Sequence, residues 1–488
     1  MNEKNHRSLL QGIARKAMLE KEFLIDFPAA ALATINGLPE IPVKITDPVR
    51  DLRELAWCSI DNDDTEDLDQ LTVAINMPSG AVKILVAIAD VDESVNKQSA
   101  FEEHANHNTT SVYTSALIFP MLPERFSTDL TSLKYHSDRF AIIIEFTISE
   151  NGSMQNEDIY RAIVNNKAKL AYNSVGAWLD DGGPMPKPIG SVNDLDKNIQ
   201  LQNSIAKKLK SLRAQNGALY LETIEARPVF NGDEVSKLEE EKKNVAKDII
   251  QEFMISANGV TARFLKVRKF PSLRRIVRRP KRWDRIVLLA SEWKYNLPAE
   301  PDSKALDQFL MKMKASNPDR FPDLSLSVIK LLGSGEYVVE GIGETSEGHF
   351  GLAVKEYTHS TAPNRRYPDL ITQRLLKATL SGKPIPYSMD ELGTIATHCT
   401  FMEDQAKKVE RQVEKSTAAL LLESSIGKQF DGIITGVSDK GTWLRIFNPP
   451  IEGKLVSGFE GMDVGDRIHV QLVRTDIERG FIDFKKAG

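Results

Sequence analysis

Residues 59–70 read SIDNDDTEDLDQ, and six of the nine residues from Asp61 to Asp69 are acids. They follow a short apolar run, LAWCSI (55–60), which reads as a buried strand. So many like charges in one loop cost stability unless something neutralises them. Two readings are open: solvated loop acids, or a cation site. A calcium EF-hand loop needs Gly at its sixth position and Glu at its twelfth. Counted from Asp61, those positions hold Glu66 and Thr72, so that motif is excluded. Magnesium takes a few carboxylates and completes its shell with water and phosphate oxygens. Asp67 and Asp69 are two apart, so in an extended segment they point the same way. Asp61 can approach from the strand end. The set suits metal-assisted phosphoryl transfer.

The acid loop is set among strands. LTVAIN (71–76) and VKILVAIADV (82–91) are two, joined through the turn Pro78-Ser79-Gly80, and Phe140 to Ile148 is another. From about 160 to 425 helical spacing dominates. It predicts helices over 243–265, after Pro363 and over 400–424, interrupted by strands around 325–355. Strands first and helices later indicate a large α+β domain. Ahead of it, Leu9, Ile13, Met18 and Phe23 recur at helical spacing until Pro28. The stretch 427–488 holds five short strands punctuated by glycines, the pattern of a small β-barrel. The expected organisation is a short helical N-terminal extension (1–49), the large domain (50–424) and the barrel (425–488).

The hydrophobic and charged fractions, 41% and 27%, describe an ordinary globular chain. No apolar run reaches the ~18 residues that cross a bilayer, and Met1-Asn2-Glu3-Lys4 opens no signal peptide. A cytoplasmic setting without membrane contact is expected. Cys58 and Cys399 form no CxxC spacing, so neither a disulfide partner nor a zinc framework is expected. The net charge of −5 is acidic for a nucleic-acid protein, but the run 263–285 holds eleven Lys or Arg and one acid. That run is either a solvated helix face or a strip that tracks phosphates. His104 and His107 share a helical face without a third ligand and read as structural.

Taken with other segments, SIDNDDTEDLDQ resembles the signature of the ribonuclease II and ribonuclease R family, four aspartates in the pattern D-x5-D-x-D-D. Asp61, Asp67 and Asp69 fall on the first three, and Gln70 stands at the fourth. Further matches are VAIADVDESV (86–95), SVYTSALIFPMLPERFS (111–127), KLAYNSV (169–175), RAQNGAL (213–219), HSTAPNRRYPDLITQRLL (359–376) and VERQVEK (409–415). In the fifth of these, Ala362 and Asn364 replace the family's Ser and Ile.

The resemblance implies a magnesium-dependent exoribonuclease, with manganese as the alternative ion, acting as a monomer. It would shorten single-stranded RNA from the 3′ end and release nucleoside monophosphates. Asp61, Asp67 and Asp69 would hold metal, with Asp69 the most critical acid and Gln70 a weak carbonyl ligand. Arg365 would hold the scissile phosphate, supported by Arg366. Tyr113 would pack on the last base, Tyr220 on the other side of the stack, and Tyr172 further out. Glu252 and Glu410 would meet the terminal ribose, and Asp90 would be structural. The last segment resembles the OB-fold RNA-binding module of the largest ribosomal protein. Phe430 and Trp443 are expected on one face of it, flanked by Lys440 and Arg445. The roughly fifty residues ahead of the large domain are too short for the cold-shock barrel that family members carry there. The alternative is a weakened or inactive RNA-binding protein of the same fold, because Gln70 removes one charge.

Overall fold

The computed structural model describes residues 5–36, 49–180, 182–224, 226–240 and 243–487. Its centre is a seven-stranded sheet. From edge to edge the strands are Arg50–Asp51, Met154–Asn165, Asp138–Ile148, Val82–Ala89, Gln70–Asn76, Cys58–Asp61 and Ala168–Ala171. The central pairs are antiparallel, and each edge strand pairs parallel with its neighbour. The apolar, β-branched run VKILVAIA is buried at every position but Lys83, as a strand covered on both faces must be.

The sheet fixes where the acids go. Asp61 is the last residue of its strand, and Gln70 is the first of the antiparallel neighbour. The pairing of Cys58 with Thr72, continued up the two strands, carries Asp61 toward Asp69. The expected strand over 55–60 starts later and reaches Asp61 itself. The twelve-residue strand Met154–Asn165 lies in a region read as leading into helices. Between 325 and 355 the described residues hold a helix, Phe321–Leu332, and one strand, Glu336–Glu340.

The basic run is neither a helix face nor a continuous free strip. It passes from the end of helix Val245–Val267 through the buried strand Ser272–Ile276 into helix Trp283–Glu292. Burial demands partners for charge, and the four cations of the run that are not exposed have them. Arg263 meets Glu157 at 2.7 Å, Lys266 meets Glu356 at 3.0 Å, Arg274 meets Glu340 at 2.5 Å and Arg275 meets Glu403 at 2.7 Å.

A 34-residue helix, Met389–Leu422, connects the parts of the molecule. Ser388 and Glu391 form a capping box at its start, satisfying two orphan N–H groups. At 1.5 Å per residue it is about 50 Å long. Its Met402, Ala406, Val409 and Val413 pack with Ala14, Ala17 and Met18 of helix His6–Glu20. Leu10 of that helix is buried and Leu9 exposed, one position off the expected stripe. A second helix, Ala29–Asn36, follows directly after Pro28.

The C-terminal strands close into a five-stranded barrel. Arg445 on the barrel grips Asp323 of helix Phe321–Leu332 through contacts of 2.8 and 3.1 Å, with side chains 12% and 6% exposed. Nearby, Gly465 has φ +92°, and a Cβ there would stand 1.5 Å from the Arg320 guanidinium. Only glycine allows that approach. Cys58 and Cys399 are both free and buried. Among the described residues no helix is long and apolar enough to cross a membrane.

Candidate active site

Three segments converge on the acid loop. The loop itself is pinned by Ser132, whose hydroxyl donates to Glu66 O at 2.8 Å and accepts from Leu68 N at 3.1 Å. Leu133 N donates to Leu68 O at 3.0 Å, and Ala89 N to Asp69 O at 3.0 Å. Leu68 enters the main core, which turns Asp67 and Asp69 together to the other side, as their spacing predicts.

The second segment is 359–366, which presents Arg365. Its Nε donates to Asp69 Oδ2 at 2.7 Å, and its side chain keeps 41% exposure while that of Asp69 has 2%. The arginine thus reaches from the acid to the surface of the site. The segment is braced from behind by Asp369, whose Oδ1 accepts from Ala362 N at 2.9 Å and from Arg366 at 2.7 Å. Arg366 was expected to help hold RNA. Its Nη2 donates to Asp369 and to Thr361, which braces the Arg365 segment, while its Nε is buried without a partner. Asn364 is buried and accepts from Thr131 Oγ1 at 2.7 Å.

The third segment is the short hairpin carrying Tyr113. The tyrosine hydroxyl donates to Asp67 Oδ2 at 3.0 Å. Its backbone N–H donates to Glu410 Oε1 at 3.1 Å, and the residue is 40% exposed. The structure therefore brings Asp61, Asp67, Asp69, Arg365, Tyr113 and Glu410 into one neighbourhood.

The electrostatics of the site are unbalanced. Burial, and then the charge of Asp69, push the Asp61 carboxyl up to about 7. Burial and the Asp67 charge push Asp69 up to about 6, against the pull of Arg365. Burial also raises Glu410. Burial alone would lower the Arg365 guanidinium, but Asp69, Tyr113 and Asp67 together more than offset this. Asp61 Oδ2 and Asp69 Oδ1 are buried and have no hydrogen-bond partner. Orphaned carboxylate oxygens of this kind are rare, and a cation would satisfy both. Asp61 and Asp69 thus fit a divalent ion that keeps water and phosphate oxygens in its shell. A closed cluster of three or more acid, His or Cys ligands is absent among the described residues.

Gln70 stands beside Asp61. It was read as a carbonyl ligand to metal. Its amide nitrogen donates to Asp61 Oδ1 at 3.1 Å, so it stands beside the acid as a neutral donor.

Other expected residues have partners of their own, and Tyr172 follows Ala171, the strand neighbour of Asp61. Glu252 is buried, and both its oxygens accept from Arg213, at 2.5 and 2.9 Å, so it is the partner of a structural ion pair. The Tyr220 ring stacks with Phe321 at 6.1 Å and lies under Lys314 at 4.0 Å in a satellite helical cluster. Tyr172 begins helix Tyr172–Asp180, its ring 5.9 Å from Lys247. Phe430 points inward, its edge on Phe484 at 6.3 Å. Trp443 pairs with Gly436 and Lys454 and alternates with the buried Thr442 and Leu444, so it faces outward. The two aromatics lie on opposite faces of the barrel wall. Arg445 is occupied by Asp323 and is not free for phosphate. Lys440 is exposed at the turn before Gly441.

Residues read as structural are so placed. Asp90 accepts from Arg161 and Lys377 at 2.9 Å each. His104 contacts Asn108 and Phe27, and His107 the Glu22 carbonyl. Sequence reasoning missed Ser132 and the bracing role of Asp369. The acid three residues after Arg366 was a legible signal for Asp369. No local pattern marked Ser132.

Comparisons with known proteins give the family and the fold. The RNB domain profile matches residues 49–382, and the profile of the RNase II-type exonuclease C-terminal S1 domain matches 428–487. Ribonuclease R of Vibrio parahaemolyticus is 30% identical over 501 residues, covering 94% of this chain and 59% of that protein. Ribonuclease R 1 of Lactococcus lactis is 27% identical over 508 residues, covering 97% and 61%. The chain thus spans about three fifths of the length of these curated relatives. Among solved structures, Mycoplasma genitalium RNase R in complex with ribose-methylated single-stranded RNA superposes with a TM-score of 0.88 at 22% identity, covering 97% of this chain and 77% of that one. Yeast Ssd1, described as a pseudonuclease, superposes at 0.68 with 16% identity, covering 89% and 51%.

Proposed function

Because this chain belongs to the RNB-domain family, we propose that it is an exoribonuclease that hydrolyses single-stranded RNA from the 3′ end to nucleoside 5′-monophosphates. The observation that carries the reading is the Asp69–Arg365 contact of 2.7 Å beside the two orphaned oxygens of Asp61 and Asp69. An anionic pocket with one guanidinium at its rim suits a phosphodiester, which needs both a cation and a donor to oxygen.

Magnesium or manganese held by Asp61 and Asp69 supplies Lewis acidity toward the phosphodiester and its attacking water. The protein groups do the rest. Arg365 donates to non-bridging phosphate oxygens and offsets charge as it develops. Asp69 holds Arg365 in that pose. Tyr113 offers its ring to the last base, while Asp67 and Glu410 fix the tyrosine from its hydroxyl and its backbone. Glu410 is placed to accept from the terminal ribose hydroxyls, which would favour RNA over DNA. Outward-facing Trp443, with Lys440, gives the barrel a second contact with RNA.

A second reading has one observation behind it. Gln70 donates a hydrogen bond where a further carboxylate would add charge, which suits an RNA-binding protein with weakened chemistry. A time course separates the two. The native protein, 5′-labelled single-stranded RNA and magnesium are incubated beside a DNA control. Progressive shortening of RNA alone to a short stub supports the exoribonuclease. Intact RNA that remains bound supports the second reading.

A further inference from the structure

A cleft of about 910 Å³ opens between the loop Val277–Lys281 and the turn Glu347–Lys355. Small-molecule sites have volumes of roughly 300–1,000 Å³. None of the residues grouped around Asp61 and Arg365 lines it. Its walls carry four cations, Arg278, Arg279, Lys281 and Lys355, against one acid, Glu347. Glu347 is already engaged by Arg278 at 3.0 Å. Arg279, Lys281 and Lys355 are exposed, and among the described residues none has a carboxylate within salt-bridge distance. Arg279 and Lys281 thus differ from Arg263, Lys266, Arg274, Arg275 and Arg278 of the same run, which are paired. Unpaired like charges around a concave surface focus a positive field that an anion relieves.

The cleft also has an aromatic wall. Phe350 lines it and is held edge-on against Trp283 at 6.3 Å. Cations for phosphate beside a fixed ring for a base are the recognition chemistry of a nucleotide. The wall is joined to the Arg365 segment. His349 packs against Tyr357 at 5.7 Å, and Tyr357 packs against His359 at 5.7 Å. These two lie in the stretch that runs on to Arg365.

We propose that this cleft is a second, non-catalytic binding site for a phosphorylated nucleotide, with phosphate on Arg279, Lys281 and Lys355 and the base against Phe350. A free mononucleotide and a phosphodiester of an RNA chain share that chemistry. The site goes beyond the exoribonuclease reading and needs no hydrolysis.

The test is photolabelling with 8-azido-AMP in EDTA, followed by peptide mapping. The native protein is compared with Arg279→Ala/Lys281→Ala/Lys355→Ala and with Asp69→Asn. The expected result is label on peptides covering 277–281 or 347–355. Half-saturation should be about tenfold weaker in the triple variant, through loss of its charge-assisted contacts, and unchanged in Asp69→Asn. Label confined to peptides bearing Tyr113 or Arg365, and unaltered in the triple variant, overturns the proposal. Competition then assigns the source. Displacement at lower concentration by AMP identifies the free nucleotide; displacement at lower concentration by a twelve-nucleotide single-stranded RNA identifies the chain. Absence of RNA shortening by the native protein in magnesium, with labelling intact, would fault the exoribonuclease reading alone.

Discussion

Gln70 and Asp61 meet at 3.1 Å, amide nitrogen to carboxylate oxygen, inside a pocket otherwise dominated by acids. The bond removes one acceptor from Asp61 and leaves its other oxygen without a partner. Gln70→Asp would exchange a donor for a second anion at that contact. Without a divalent ion the variant should melt at a lower temperature than the native protein, since like charges are brought together in a buried place. Magnesium should restore more stability to the variant than to the native protein. Thermal melts in EDTA and in magnesium measure this; equal magnesium responses would count against a cation at Asp61.

Asp69→Asn keeps the shape of the side chain and removes the charge that anchors Arg365. Turnover of RNA should fall by roughly 10²–10³-fold, the scale of removing one transition-state contact. Affinity for the RNA should stay within a few-fold. Single-turnover kinetics beside a filter-binding assay separate the two effects, and a variant with most of its rate intact would remove Asp69 from the chemistry.

Tyr113 joins a ring to a hydroxyl that serves Asp67. Tyr113→Phe keeps the ring, and Tyr113→Ala loses both. If the ring stacks on the last base, Ala should cost ~1–3 kcal/mol of binding to the RNA 3′ end, while Phe costs far less. Equal losses in the two variants would place the contribution in the hydroxyl.

Arg445 and Asp323 bind the barrel to the body by a nearly buried ion pair. Arg445→Ala should destabilise the protein by about 3–5 kcal/mol, because it strands Asp323 away from water. Replacing both residues with apolar ones should cost much less. Denaturant unfolding of the single and double variants checks this, and a single variant as stable as the double would show that Asp323 is well solvated.

Burial lowers His104 to about 4. Its folded value lies below the unfolded one, so its contribution to stability is present above about 6.5 and is lost as pH falls toward 4. Taking ~1.4 kcal/mol per pKa unit, the native protein should lose about 2 kcal/mol through this group between pH 7 and pH 5. His104→Gln does not titrate there, so the stability difference between the two should shift in favour of the variant by that amount. Parallel stability curves would mean that His104 stays accessible to water.

Much of the site was legible because the signals that mark it are local. Asp67 and Asp69 share a side through the two-residue period of an extended chain. The Asp61–Gln70 contact was not legible, since it depends on which residues two strands place opposite one another. The faces of Phe430 and Trp443 failed for the same reason: the register of the barrel strands decides them, and proximity in sequence does not. Strand Met154–Asn165 was hidden by its polar, mostly exposed first half. The basic run misled because its partners, Glu157, Glu340, Glu356 and Glu403, are far away in sequence. Charge read along a chain shows supply, and only the fold shows demand.

The contact between helix His6–Glu20 and the middle of helix Met389–Leu422 has a temporal side. Ribosomes add about 5–20 residues per second, so the first helix emerges about 20–80 s before Met402 to Val413 exist to cover it. During that interval Ala14, Ala17 and Met18 face solvent or a substitute. A chaperone that shields short amphipathic segments during synthesis would therefore raise the yield of this protein.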